Sequence, residues 1–221
     1  MNRQPNYANG FSDRREAGRA LAGLVCDLSL PDPLVLAVPR GGVPVADEVA
    51  AALGAPLDVF VARKIGAPHQ REFAIGAVAE GGTVFFDDLA VRSLGLSPGR
   101  RGQLAEAAQQ ELARRVERYR GARALPDVRG KSVVLVDDGV ATGRTIRAAL
   151  TSLHAHEPGR LVLATPVCAP ETAAELHEFA DDVISVLLPG RLIAVGAWYA
   201  DFRQTCDSEV TDILAAARRP R

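Results

Sequence analysis

Lysine is almost missing from this 221-residue chain: Lys64 and Lys131 are the only two, and arginine carries nearly all the positive charge. That bias reads as genome composition rather than function. The 26 basic and 27 acidic residues leave a formal net charge of −1. A near-neutral chain has no global basic field to draw nucleic acid or another acidic partner. Cysteine is scarce too: Cys26, Cys168 and Cys206 are scattered, with no CxxC pair. That pattern argues against a disulfide framework or a zinc site and suits reduced thiols in the cytoplasm. No apolar run approaches the ~20 residues of a membrane span, and the polar start MNRQPNYANGFSDRRE lacks the apolar core of a signal peptide. A cytoplasmic protein without membrane or nucleic-acid partners is the expectation. The 48% hydrophobic content is enough for one substantial core.

Buried strands alternate with helices along the chain. Asp13 and Glu16 have capping-box spacing, which predicts a first helix to about Asp27. LVLAV (34–38) is a continuous apolar run ended by Pro39-Arg40-Gly41-Gly42 and reads as a buried strand. VPVADEVAAALG is a helix closed by Gly54, and LDVFVA (57–62) a second strand. The charged stretch RKIGAPHQRE (63–72) reads as an exposed loop. AIGAVAEGGTVFFDD reads as a hairpin turning at Gly81-Gly82. Ser97-Pro98 opens a long polar helix to about Tyr119. Its Arg114, Arg115, Arg118 and Arg120, mixed with Glu106, Glu111 and Glu117, suggest a solvated face or a dimer contact. Strands at 132–136, 161–167 and 183–188 follow, separated by helices at 144–154 and 171–179, with a last helix near 208–218. This alternation predicts an α/β fold with a Rossmann-like parallel sheet of about five strands. Pro126-Asp127 is the one candidate seam, and it falls inside a single domain over residues 1–221. His154, His156 and His177 have no metal-ligand context and read as surface residues.

The most informative stretch is VVLVDDGVATGRT (133–145). An aliphatic strand ends in two adjacent acids, and a loop of small residues and hydroxyls follows. Ligands collect at the carboxyl ends of strands in an open parallel sheet. Gly139, Val140, Ala141, Thr142 and Gly143 are small enough to let main-chain amides approach an anion. Thr142 and Thr145 add hydroxyls, and the helix starting near Gly143 and Arg144 turns its positive end to the same place. Carboxylates repel phosphate, so a ligand touching both halves must present different groups to each. A sugar 5-phosphate does: its phosphate suits the loop, and its vicinal hydroxyls suit Asp137 and Asp138. Receiver domains carry their acids on the first strand with no such loop, and a Walker loop would need GxxxxGK[ST].

The stretch resembles the ribose-phosphate signature of type I phosphoribosyltransferases at every one of its positions. The resemblance implies phosphoribosyl pyrophosphate (PRPP) as ligand, with Asp137 and Asp138 on the ribose hydroxyls and residues 139–145 on the 5-phosphate. It also implies the type I fold with a flexible hairpin loop over a core of about 12–190. A small hood would come from 191–221, with the N-terminal tail as a further candidate contributor. Pro39-Arg40-Gly41-Gly42 is similar to the family's pyrophosphate loop. Glycine admits the diphosphate to the backbone and Arg40 supplies charge, and a non-proline cis peptide is expected near Arg40-Gly41. VARKIGAP (61–68) is similar to the Arg-Lys pair ahead of the mobile loop in orotate and adenine phosphoribosyltransferases. Arg63 and Lys64 thereby become candidates for pyrophosphate contact. Those enzymes have a further lysine where this chain has Ile65-Gly66-Ala67-Pro68. Arg71 or His69 is the available substitute, though His69 also reads as an exposed loop residue, and Glu72 is either the loop acid or a partner for Arg71. Trp198, Tyr199 and Phe202 concentrate in a chain with only 5% aromatics. They read either as a satellite core or as a hood stacking a flat acceptor.

The implied reaction is transfer of ribose 5-phosphate from PRPP to a nitrogen acceptor, a nucleobase among the options, with pyrophosphate released. Arg40, Lys64, Asp137 and Asp138 are its catalytic candidates. Magnesium would arrive with PRPP near Asp137 and Asp138, with no direct protein ligand assigned, and the family's habit of pairing subunits implies a homodimer. The same residues suit two alternatives: a regulatory protein that binds PRPP without turnover, and hydrolysis or phosphate transfer using an acceptor other than a nucleobase.

Overall fold

The computed structural model describes Tyr7 and residues 10–218, apart from the side chains of Arg71 and Glu72. The roles expected of those two side chains, and of the outermost terminal residues in the hood, lie outside the described residues. In chain order the elements are α1 (Arg14–Cys26), β1 (Pro33–Ala37), α2 (Gly42–Leu53), β2 (Leu57–Val59), β3 (Ala62–Ala67), β4 (Gln70–Ala79), β5 (Val84–Phe86) and α3 (Asp88–Ser93). Then come α4 (Pro98–Arg120), β6 (Ser132–Val136), α5 (Arg144–His154), β7 (Arg160–Val167), α6 (Pro170–Leu176), β8 (Asp182–Leu187) and α7 (Asp207–Ala217).

Five strands form a parallel sheet in the order β2-β1-β6-β7-β8. Its central strands are buried on both faces, so each alternates between two apolar layers. Val35, Ala37, Val134, Val136, Val162 and Ala164 share a core with Leu21 and Val25 of α1 and Val45 and Val49 of α2. Leu34, Leu36, Val133, Leu135, Leu161 and Leu163 face Ile146, Ala149, Leu150 and Leu153 of α5. Each fully buried Leu or Val stabilises the fold by roughly 1.5–3 kcal/mol relative to exposure. The chain leaves β1 toward β2 on one side, and β6, β7 and β8 extend from the other, so the direction of winding reverses between β1 and β6. A crevice opens at such a switch point, outside the strands' carboxyl ends. β1 and β6 run in register to Ala37 and Val136, so both deliver their following loops to that crevice.

Local signals form as the sequence predicts. Asp13 caps α1 by accepting from the Glu16 amide at 2.8 Å. Gly54 closes α2 at φ +61°, and Ser97 caps α4 by accepting from the Arg100 amide. Three expectations need correction. The strand expected over 57–62 is divided: β2 ends at Val59, and β3 begins at Ala62 in a second, antiparallel sheet, β3-β4-β5. Residues 63–72 are mostly not loop, because β3 and β4 form a hairpin whose turn holds only Pro68 and His69. On the edge strand β3, Lys64 is exposed and Arg63 lies beside Glu111 of α4, while Ala62 and Ile65 are buried; charged edges are common protection against stray pairing. The hairpin at Gly81-Gly82 is present, joining β4 to β5.

The third correction concerns Arg120, which is no solvated residue but is 4% exposed. Its Nη1 and Nη2 donate to the Glu80 carboxylate at 2.6 and 3.0 Å, and Nη2 also donates to the Val59 carbonyl at 2.5 Å. Nε lies 3.5 Å from Asp58. Glu80 in turn accepts from the Val61 amide at 2.7 Å. The end of α4 is thereby bolted to the crossover between the two sheets.

Candidate active site

Beyond Val136 the chain enters the acid turn. The Asp137 amide extends the sheet ladder to the Ala164 carbonyl at 3.3 Å, and Asp137 Oδ1 accepts from the Asp138 amide at 2.9 Å. Burial holds the Asp137 carboxyl well above the usual range, and the charge of Asp138 raises it further. Burial raises Asp138 as well, but less freely, because the Arg14 guanidinium opposes it. Two neighbouring carboxylates, removed from water, are costly to ionise together. Hydroxyl donors facing them relieve that cost.

The loop after β1 meets the acid turn directly. Val38 donates to the Val136 carbonyl at 2.8 Å, and Gly42 donates back to the Val38 carbonyl at 3.1 Å. A Cβ on Gly41 would lie 1.9 Å from Asp138 Oδ2, and one on Gly42 2.6 Å from the Val136 carbonyl oxygen. Only glycine permits this approach. The loop contains a non-proline cis peptide at Pro39-Arg40, one bond earlier than expected. The Arg40 guanidinium is part-buried, and Nη1 lies 3.8 Å from Asp207 Oδ1 at the start of α7. The Tyr119 hydroxyl donates to the same carboxylate oxygen at 2.5 Å.

The loop 139–145 divides into anchor and cradle. Val140 is the anchor: it is 2% exposed, its amide donates to the Val167 carbonyl at 2.9 Å and its carbonyl accepts from Ala169 at 3.1 Å. Its N–H is therefore committed to the sheet rather than open to an anion. Gly139 packs on Val195, where a Cβ would fall 2.2 Å from Cγ1. Thr172 donates to the Ala141 carbonyl at 2.7 Å. Gly143 takes φ +65° as the cap of α5, a conformation glycine adopts at little cost. Among the described residues, the amides of Thr142, Gly143, Arg144 and Thr145 make no hydrogen bond within the chain. They gather at the positive end of α5, the arrangement that binds anions. The Arg144 side chain lines a cavity beside Thr142 and Gly143, with Nη2 donating to Asp87 at 2.7 Å.

The hood is built from both ends of the described chain. Phe11 and Tyr199 form a parallel bridge, and Tyr7, Phe11, Tyr199 and Phe202 stack in tilted succession with ring centroids 5.0, 5.6 and 5.0 Å apart. Tyr199 is buried and donates through its hydroxyl to the Asp138 carbonyl at 2.5 Å. Trp198 is half-buried against the small core of Phe11, Ala17, Val167 and Tyr199. Phe202 is exposed at its rim but carries the Arg14 guanidinium over its ring at 4.0 Å. Arg14 lines a cleft of about 410 Å³ together with Pro44, Arg203, Thr205 and Cys206.

The structure thus brings Arg40, Gly41, Gly42, Asp137, Asp138, the 139–145 loop and Tyr199 to one crevice. Arg63 and Lys64 belong to the separate antiparallel sheet, with Arg63 Nη1 3.4 Å from Glu111 of α4 and Lys64 exposed. Sequence reasoning missed Arg14. Its signal is a cation in the first turn of a helix, where the dipole disfavours positive charge, which hints at a partner elsewhere. Among the described residues no group of three or more His, Cys, Asp or Glu side chains is placed to hold a metal. No helix among them is long and apolar enough to cross a membrane.

The sequence profile of the phosphoribosyl transferase domain matches residues 14–189, from Arg14 through the end of the parallel sheet. The chain belongs to that family. Its sheet order and flanking helices are those of the type I phosphoribosyltransferase fold. Over 209 residues it is 43% identical to the curated Mycobacterium tuberculosis protein "Putative phosphoribosyl transferase Rv0571c". That match takes in 95% of this chain and 47% of the relative, so the chain spans about half the length of the curated relatives it matches. The crystal structure of TT1426 from Thermus thermophilus is similar at 44% identity and a TM-score of 0.79, covering 94% of this chain and 98% of that one. AQ2163 from Aquifex aeolicus, at 14% identity, a TM-score of 0.51 and 85% coverage of each chain, shares the fold alone. The acid turn and the two loops beside it all lie inside the matched region of this family member.

Proposed function

We propose that the crevice binds PRPP and that the chain transfers its ribose 5-phosphate to a nitrogen-containing acceptor, releasing pyrophosphate. One observation carries the reading: the glycine loop after β1 rests on the Asp138 carboxylate, while uncommitted amides gather at the start of α5. A ligand spanning these parts needs an anion at one end, a diol in the middle and a diphosphate beside the glycines. PRPP has that layout.

In this reading the amides of residues 142–145 and the Thr142 and Thr145 hydroxyls hold the 5-phosphate. Asp137 and Asp138 accept from the ribose hydroxyls through the oxygens that bond neither the Asp138 amide (Asp137 Oδ1) nor Arg14 (Asp138 Oδ2). Charge-assisted hydrogen bonds of this kind contribute roughly 1.5–3 kcal/mol each. The acceptor nitrogen attacks C1 on the face opposite the diphosphate. The C1–O bond breaks, pyrophosphate leaves with the electron pair, and the acceptor's proton passes to solvent. Arg40, with Arg63 and Lys64 brought up by the hairpin, stabilises the leaving charge. Magnesium, entering with the diphosphate, would screen charge on that leaving group; two acids without a closed cage suit a cation that arrives already coordinated. Binding energy from the remote phosphate is available to orient C1.

The acceptor is found by incubating the protein with PRPP, magnesium and a panel of nucleobases and other nitrogen heterocycles while following pyrophosphate. Release that depends on one acceptor supports transfer. Tight PRPP binding with no release from any acceptor replaces this reading with the sensor.

A further inference from the structure

We infer that Arg14 is a positioning residue for ribose recognition: by gripping one oxygen of Asp138, it holds the other toward the sugar and ties the hood to the acid turn. The inference rests on the proposed ribose-phosphate reading.

Arg14 opens α1, 124 residues before Asp138 in sequence but in direct contact with it in space. Its Nε donates to Asp138 Oδ2 at 2.8 Å, and its Nη2 lies 2.8 Å from the same oxygen. Both side chains are mostly buried, at 11% and 15% exposure. Nη1 donates to the Arg203 carbonyl at 2.7 Å, and the guanidinium plane lies over Phe202. Tyr199 secures the backbone of the same aspartate through its carbonyl. Asp138 is therefore held by two hood side chains from opposite ends of the chain, one on the carboxylate and one on the main chain.

The geometry separates two roles on one carboxylate. Oδ2 is committed to Arg14 and crowded by Gly41, whereas Oδ1 is not held by Arg14. A guanidinium suits this work because its planar fork fixes direction as well as charge, and an aromatic face below it stops it rotating. A lysine would keep the charge and lose the fork. Without the cation, Asp138 would face Asp137 across a poorly solvated gap and turn away or take a proton, and either change removes a ribose acceptor. A merely structural Arg14 would disturb the whole crevice evenly. A positioning Arg14 disturbs the sugar's hydroxyls and spares the phosphate.

Calorimetric titrations with ribose 5-phosphate and with inorganic phosphate separate these cases in the intact protein, Arg14→Met and Arg14→Lys. Arg14→Met is expected to weaken ribose 5-phosphate about tenfold, the equivalent of one charge-assisted hydrogen bond, with phosphate affinity within twofold of the parent. Arg14→Lys is expected to recover part of the loss. Equal weakening of both ligands would overturn the inference in favour of a structural role. Unchanged or tighter ribose 5-phosphate binding would overturn it in favour of a plug over the acid. Failure of the parent to bind ribose 5-phosphate more tightly than phosphate would overturn the ribose-phosphate reading itself, whatever the variants do. Melting temperatures on the same samples identify a variant that fails to fold. Phe202→Leu, which removes the ring under the guanidinium and leaves both charges, then takes its place, with the same pair of titrations deciding in the same way.

Discussion

Gly41 and Asp138 touch: the α-carbon of one lies so near the carboxylate of the other that even a methyl group between them would fall 1.9 Å from Oδ2. The carboxylate cannot simply retreat, because Arg14 holds that same oxygen from the hood side. Gly41→Ala is therefore expected to displace either the loop or the acid. PRPP affinity should fall at least about tenfold, or ~1.4 kcal/mol, measured by calorimetry with magnesium present. Parental affinity in a folded Gly41→Ala protein would mean that this contact does not belong to the ligand site.

Asp137 ties stability to pH in a direction opposite to that of a salt-bridged acid. Its folded-state pKa is raised above the ordinary 3.8, by burial first and the charge of Asp138 second. The folded protein keeps a proton that the unfolded chain releases, so stability is lost as pH rises from the ordinary value through the raised one. Asp137→Asn has no such proton to lose. Its melting temperature relative to the parent is expected to rise between pH 4 and pH 8 while ribose 5-phosphate affinity falls, the usual conflict between a functional site and stability. A difference in melting temperature that stays flat across that range would contradict the account of the acid pair.

How legible these features are depends on the distance over which their causes act. The Asp13, Ser97 and Gly54 caps and the 133–145 turn depend on near neighbours, so the sequence predicts them in place. The β3-β4 hairpin escapes because a charged edge strand with Gly66 in it has a loop's composition; what makes it a strand is pairing with β4 and packing of Ile65 and Ala67 inward. Arg120 reads as solvated because its Glu80 partner is 40 residues away. The Arg14 contact spans 124 residues, and no local pattern announces it beyond a cation placed where a helix disfavours one. The glycine loop is legible as a turn, but its contact with Asp138 depends on β1 and β6 being neighbours in the sheet.

Arg120 offers a test of the fold apart from the ligand. Removing one member of a buried ion pair leaves its partners charged without compensation and costs about 3–5 kcal/mol. Arg120→Ala strands Glu80 and Asp58 in this way, and chemical denaturation is expected to register a loss of that order. A loss below ~1 kcal/mol would show that water or Arg123, 3.4 Å from Asp58, makes good the missing charge.

Lys64 separates chemistry from binding. If the hairpin brings it to the leaving pyrophosphate, Lys64→Ala should slow turnover at least about tenfold and leave ribose 5-phosphate affinity nearly unchanged, because an interaction made in the transition state affects kcat rather than ground-state binding. Parallel losses in steady-state rate and in ribose 5-phosphate affinity would remove Lys64 from the catalytic set.

The central claim is that sugar hydroxyls meet the acid turn while the attached phosphate is held at the start of α5. Titration of PRPP with magnesium into the parent and Asp138→Asn, alongside inorganic phosphate into both, tests it most directly. The account predicts that the substitution weakens PRPP about 10- to 100-fold, from loss of one or two charge-assisted hydrogen bonds, and leaves phosphate binding intact. Equal PRPP affinity in the two proteins would contradict it.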